Sequence, residues 1–332
     1  MIEVKGLSKT FKVHKKEPGF IGSVKSLFFR EHISKIAVDN VDLKINDGEI
    51  IGLIGANGAG KTTLTKILSG IIHPTQGSVS VLGFNPWDRK NEYRQQMSLI
   101  MGQKAQLWWD LPAMDGFLLL KEIYQIPENE FYESIDYLSE CLMIKDQLKV
   151  QVRKLSLGER MKVELMAALI HKPKVVFLDE PTIGLDLMAQ KAVREFIKSY
   201  RKEFKPIMIL TSHYMEDIEE LCERVVIIKD GSFIYDGSLN KIKSNYAKNK
   251  LITATIKDLE KLESFVSSFP KELGIVHISD LKLEIQSPRA KVMEAATYLM
   301  TNLAILDLNI NEEPISDIIE HIMREGKVSE QQ

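Results

Sequence analysis

Gly55, Gly60, Lys61 and Thr62 fill the spacing G-x-x-x-x-G-K-[ST] inside the run Gly55, Ala56, Asn57, Gly58, Ala59, Gly60, Lys61, Thr62, Thr63. Residue types in this order can hold a polyphosphate. Glycines let successive backbone N–H groups turn inward, and a helix opening at the end of the loop adds positive potential. Lys61 supplies a formal charge for the terminal phosphates, and the Thr62 hydroxyl can reach Mg²⁺. The missing Cβ at Gly58 and Gly60 lets phosphate oxygens approach the backbone. A glycine-rich turn that binds nothing is the competing reading, and the flanking strand and helix patterns weigh against it. Two carboxylates, Asp179 and Glu180, end the apolar run VVFLD, and His213 follows a second apolar run. The carboxyl ends of strands are where ligands bind in open parallel α/β sheets.

The elements that must position these groups can be read from periodicity. Ile50 to Ile54 reads as a buried strand leading into the loop, and Leu64, Ile67 and Leu68 repeat at helical spacing after it. Ile2 and Val4 suggest an opening strand. Val41, Leu43 and Ile45 alternate with polar residues before the Asp47-Gly48 turn, and Ser78 to Leu82 alternates again. Between the first strands lies an interruption over residues 14–35, in which Phe20, Val24, Leu27 and Phe28 fall on one helical face, suited either to a membrane or partner or to this domain's own surface. Residues 113–152 read as helical. Val163, Met166, Ala167 and Ile170 recur at helical spacing until Pro173 stops the helix. The strand Ile207 to Leu210 and a hairpin over VVIIKDGSFIYDG close a first domain, residues 1–240.

Residues 241–332 change pattern to β, α, β, β, α, β and a last helix after Pro314, the order of a split βαβ or ferredoxin-like module. Nothing in it looks catalytic.

The 332 residues are 44% hydrophobic, ample for packed cores, and the 27% charged residues nearly cancel to a net charge of -2. That balance gives no electrostatic case for nucleic acid. No apolar stretch approaches the roughly 18 residues of a membrane span, and the first residues lack a signal-peptide core, so the expected location is cytosolic. Cys141 and Cys222 stand singly and read as reduced core thiols.

Several further stretches, in this order, give the first domain a family resemblance. GANGAGKTT resembles the Walker A sequence of ABC transporter ATP-binding subunits, Gln103 their Q-loop glutamine, and LSLGER, residues 155–160, their signature. VVFLDEP resembles Walker B with the adjacent glutamate; Gly184, Leu185 and Asp186 resemble the D-loop; and His213 resembles the switch histidine. The likeness covers residues 1 to about 240. It implies an α/β P-loop NTPase fold, an ABC ATPase domain with a β-subdomain and a helical subdomain, followed by the α+β ferredoxin-like module.

The resemblance also implies roles. Glu180, His213 and Gln103 would be catalytic, with Glu180 polarising the attacking water and His213 orienting water and γ-phosphate. Asp179, Thr62 and Gln103 would hold Mg²⁺, and Phe11 would stack on adenine. Ser156, Gly158, Glu159 and Asp186 would face the ATP of an opposite subunit, because one chain has one Walker A and one signature. The signature departs from the commoner LSGGQ at Leu157 and Glu159, which bears on affinity and closing rate. The implied protein is an ATPase using ATP and Mg²⁺, a homodimer on separately encoded membrane permease subunits at the inner face of the cell membrane. Within the superfamily it resembles multi-drug, antibiotic or viologen-type exporters. Trp108 and Trp109 lie where the family contacts its permease, and adjacent aromatics are equally at home in a core. A soluble ABC ATPase acting on ribosomes or nucleic acid is the alternative; such proteins usually carry two cassettes or a coiled-coil insertion, and neither is present.

Overall fold

The structure, a computed structural model, describes residues 1–14, 32–102, 104–247, 249–257, 262–279 and 282–325. Its contacts divide the chain into one unit over Met1–Gly237 and another over Ser238–Glu325.

The first unit opens with β1 (Ile2–His14) and β2 (His32–Ile45), paired antiparallel from Ile2↔Ile45 to His14↔His32. These strands run well beyond Ile2–Val4 and Val41–Ile45, where alternation is legible. At the far end Val13, Ile33 and Ile36 are about half exposed, so backbone pairing extends the hairpin without burial to mark it. His32 to Lys35 of the expected interruption belong to β2. Phe20, Val24, Leu27 and Phe28, which carried the expected helical face, lie outside the described residues.

Next come β3 (Ile50–Ile54), α1 (Lys61–Leu68) and β4 (Gln76–Val81), with β4 completing the order β2-β1-β4. A short helix α2 (Asn91–Arg94) precedes β5 (Met97–Met101). The stretch expected to be helical is two helices, α3 (Ala113–Tyr124) and α4 (Glu128–Cys141), followed by short 3-10 turns. Gln125 takes a left-handed φ of 54° and Pro127 follows it, which ends α3 and starts α4 in a new direction. Cys141, read as a core thiol, is exposed at the end of α4, whereas Cys222 is buried; both are free.

Then follow α5 (Leu157–Leu169), β6 (Val175–Asp179), α6 (Leu187–Phe204), β7 (Ile207–Thr211), α7 (Met215–Leu221), β8 (Arg224–Lys229) and β9 (Ser232–Ser238). The strands form a sheet of order β5-β6-β7-β3-β8-β9. Pairing is parallel from β5 through β8. Every residue of β3, β6 and β7 is buried, which is why these strands read as unbroken apolar runs. β3 stands between β7 and β8, so the loop after it leaves the sheet near its centre. Asp230 and Gly231, both at positive φ, make the two-residue turn of the β8–β9 hairpin.

The second unit contains α8 (Leu239–Tyr246), β10 (Asn249–Ile256), α9 (Leu262–Ser268), β11 (Ile275–Ser279), β12 (Lys282–Pro288), α10 (Val292–Asn302), β13 (Ile305–Glu312) and α11 (Ile315–Glu325). Its antiparallel sheet has the order β11-β12-β10-β13, that of a ferredoxin-like fold. Ile252, Leu283, Ile285, Ala295 and Leu299 form the centre of its own core.

Candidate active site

Residues 55–62 connect β3 to α1, and two glycines there serve different ends. A Cβ at Gly60, whose φ is +118°, would come within 2.3 Å of the Ala37 carbonyl oxygen, so this glycine is required by the close approach of β2. A Cβ at Gly58 would meet nothing within 4 Å, and its φ of +82° is one that glycine adopts at little cost. The loop is therefore pinned by Gly60 and open at Gly58, a shape that can take phosphate. Helix α1 begins at Lys61 with no side-chain cap, which leaves its first-turn N–H groups for an anion.

The Lys61 ammonium donates to the Gly55 and Ala56 carbonyls at 2.7 and 3.2 Å, folded over its own loop. Burial pushes its pKa below the usual lysine range, against the opposing pull of Glu180 and Asp179. A phosphate can replace both carbonyls as its acceptor. Thr62 donates its hydroxyl to Asp179 Oδ1 at 3.3 Å, so a hydroxyl and a carboxylate, both hard oxygen donors, meet beside the lysine. That pair suits Mg²⁺ when a nucleotide's phosphates complete the shell.

β6 delivers Asp179 and Glu180, and β7 delivers the residue that holds them. Thr211, fully buried and level with Asp179 in the β6–β7 register, gives its hydroxyl proton to Asp179 Oδ1 at 2.6 Å. The Glu180 N–H in turn donates to the Thr211 carbonyl and hydroxyl oxygens at 3.0 and 3.1 Å. Glu180 has a left-handed φ of 57°, a conformation that costs a non-glycine residue about 1–3 kcal/mol and persists where the surroundings impose it. Its carboxylate lies 2.9 Å from His213 Nε2.

Behind this pair sits a buried network centred on Asp217, in α7. Its carboxylate accepts from Ser212 at 2.6 Å, from the Thr182 hydroxyl and from Arg194 at 2.9 Å. Ser212 also accepts from the Tyr214 N–H at 3.0 Å, bracketing His213. One carboxylate thus ties the turn carrying His213 to the segment after Glu180 and to α6.

Ser156 and Glu159 form a capping box at the start of α5, and Asp186 caps α6 by accepting from the Ala189 N–H at 2.8 Å. The two helix starts abut, since a Cβ at Gly158 would stand 3.1 Å from Ala189 Cβ. Glu164, a buried carboxylate of α5, accepts from the Gln106 and Leu107 N–H groups at 2.8 and 3.3 Å. Desolvation by burial raises its pKa, against those two hydrogen bonds. Trp108 and Trp109 are 47% and 50% exposed, which excludes the core reading, and the Arg160 guanidinium lies 5.0 Å from the Trp109 ring. Phe11 is on β1 with the Lys9 ammonium 5.0 Å from its ring. Gln103 lies outside the described residues.

Lys61, Thr62, Asp179, Glu180 and His213 are thereby brought together. Sequence reasoning missed Thr211, Thr182, Asp217 and Gly102. Thr211 was the residue closing the second apolar run and could have been found as the register mate of Asp179. Gly102 carries no local signal; only the fold reveals that a Cβ there would stand 2.1 Å from the Glu180 carbonyl oxygen.

Residues 38–183 match the protein family described as ABC transporter. The chain is 34% identical over 206 residues to ABC transporter ATP-binding protein NatA of Bacillus subtilis, a match covering 62% of this chain and 83% of that one. It is 28% identical over 338 aligned residues, 98% of its own length, to ABC transporter A family member 8 of Dictyostelium discoideum, and spans 38% of that longer protein. Among solved structures, the ATP binding subunit of an ABC transporter superposes with a TM-score of 0.60 at 25% identity, covering 74% of this chain and 92% of that one.

Proposed function

The chain belongs to the ATP-binding proteins of ABC transporters and is an ATPase, and from that premise we propose that it powers an exporter whose membrane-spanning permease subunits are separate chains. The observation that carries the chemistry is the meeting of β6 with the end of the loop, where Thr62 donates to Asp179 at 3.3 Å and the next residue, Glu180, lies 2.9 Å from His213. Gly58 and the first turn of α1 cradle the phosphates and Lys61 neutralises them. Thr62 and Asp179, with Gln103, would hold Mg²⁺, which would supply neutralising charge for the phosphates. Glu180 polarises the attacking water, and His213 keeps that carboxylate turned toward the loop. Phe11 stacks on adenine. Positioning and charge account for the catalysis.

Ser156, Gly158 and Asp186 face the ATP of a second copy, making the working unit a head-to-tail homodimer whose closure moves the permease and whose hydrolysis resets it. No helix among the described residues is long and apolar enough to cross a membrane. The half-exposed Trp108 and Trp109 offer a docking surface for the permease, which would hold the protein at the inner face of the cell membrane. Residues 241–332 are an accessory module in this reading.

The test is rebinding to membranes of the source cells stripped of peripheral proteins. The wild-type chain should rebind saturably, and the Trp108→Ala, Trp109→Ala double variant should not, while its ATP turnover in solution stays unchanged. Binding instead to ribosomes or nucleic acid, with none to stripped membranes, would favour the soluble alternative.

A further inference from the structure

Ser156 has one hydroxyl proton, and the chain already uses it. Ser156 Oγ donates to Glu159 Oε2 at 2.8 Å, the same carboxylate oxygen accepts the Ser156 N–H at 2.9 Å, and Ser156 Oγ accepts from the Glu159 N–H at 3.3 Å. These bonds satisfy the start of α5 with the chain's own carboxylate. They also place a full negative charge at a helix N-terminus, the position whose dipole and free N–H groups favour an incoming anion. The backbone and hydroxyl hydrogen bonds from Ser156 hold the Glu159 carboxyl below the usual carboxylate range, so it is ionised at neutral pH. Lys162, one turn along, offsets part of that charge.

Resting on the reading that Ser156 faces the γ-phosphate of a second copy's ATP, we propose that Glu159 is an affinity-setting residue that competes with that phosphate for Ser156 and so weakens ATP-driven closure of the dimer. Closure requires the Ser156 proton to leave Glu159 Oε2 for a phosphate oxygen. Ser156 Oγ can keep accepting the Glu159 N–H, so the helix stays capped while one charge-assisted bond is exchanged for another. The remaining penalty is repulsion between the Glu159 carboxylate and the phosphate. Glutamine at 159 preserves the capping box, because its carbonyl oxygen accepts the same N–H, and removes the charge.

The experiment compares three full-length chains, all carrying Glu180→Gln to stop hydrolysis. One has no further change, one adds Glu159→Gln, and one adds Ser156→Arg. Light scattering follows dimer formation across Mg-ATP concentrations in low and high salt. Glu159→Gln should lower the Mg-ATP concentration for half-maximal dimer by about tenfold at low salt, the scale of one partly screened charge contact. The gap should narrow near 1 M salt, where screening acts over roughly 3 Å. A general gain in helix stability would instead give a shift that salt leaves unchanged, and that result overturns the proposal, as does an unchanged or weaker dimer in a Glu159→Gln chain with wild-type melting. Failure of the underlying reading looks different: the chain with Glu180→Gln alone stays monomeric, or Ser156→Arg dimerises as well as its parent.

Discussion

His213 Nε2 lies 2.9 Å from Glu180 Oε1, so the edge of the imidazole stands directly against the carboxylate. The histidine therefore acts first on the glutamate, fixing the direction of a side chain that stands on a strained backbone. Glu180→Gln fills the same volume and can still meet His213, yet polarises water poorly. Its turnover should fall by about 10² to 10⁴ while Mg-ATP binding is retained, as measured by phosphate release and nucleotide fluorescence. A variant hydrolysing at the wild-type rate would remove Glu180 from the chemistry.

Gly102→Ala should lower turnover with little change in ATP affinity. The added Cβ would stand 2.1 Å from the Glu180 carbonyl oxygen, backbone against side chain, so the Glu180 peptide must move. The loop bearing Lys61 is on a different strand connection. Misplacing a catalytic group by about 1 Å can cost about 10² in rate. Steady-state kinetics separates the outcomes: a lower kcat at similar KM is expected, and an equal loss in nucleotide affinity would contradict this route.

That the glycine-rich loop, Asp179, Glu180 and His213 lie together was legible because each stands at the end of an apolar run, where chain order and residue type coincide. Their supports were not. Thr211 and Asp217 act through register and burial, which bring residue 211 beside 179 and residue 217 beside 182 and 194. The C-terminal module was legible in order because its central strands β10 and β12 alternate on one buried face. The far ends of β1 and β2 were not, because pairing there continues without burial. Cys141 was misread for a related reason: cysteine type favours burial, but its place at the last turn of α4 faces water.

Asp217→Asn should lose stability and turnover together. The carboxylate is fully buried and faces Arg194, whose guanidinium also pairs with Glu220 at 3.1 Å. Neutralising Asp217 leaves a buried cation short of its partner, a change that typically costs about 3–5 kcal/mol. Thr182 and Ser212 would lose a charged acceptor, loosening the turn that carries His213. Urea unfolding should show the lower midpoint, and kcat measured well below the transition should still be reduced. Wild-type kcat in a destabilised variant would confine Asp217 to folding.

His171 sets a pH dependence on stability. Its ring stacks on Tyr124 of α3 with centroids 3.8 Å apart, and Nε2–H donates to the Met97 carbonyl of β5 at 3.2 Å, while buried Nδ1 has no protein partner. Protonation would put a charged, unpaired N–H into that site, and burial accordingly pushes the pKa down from 6.5 to about 4, against the Met97 hydrogen bond. The unfolded chain takes up this proton near pH 6.5 and the folded chain does not until near pH 4, so between those values the unfolded state binds more protons and stability rises with pH. The contribution is complete above about pH 6.5 and is lost as pH falls toward about 4, by about 3 kcal/mol at most. His171→Phe can keep the stack on Tyr124 but not the bond to Met97, so it should be less stable than wild type at pH 8 by about 1 kcal/mol. Between pH 6.5 and 4 the two urea-unfolding profiles should converge or cross, because only the wild type carries the proton-linked loss. Profiles that stay parallel across that range would show that His171 titrates alike in the folded and unfolded chain, and that its ring is not held neutral between α3 and β5.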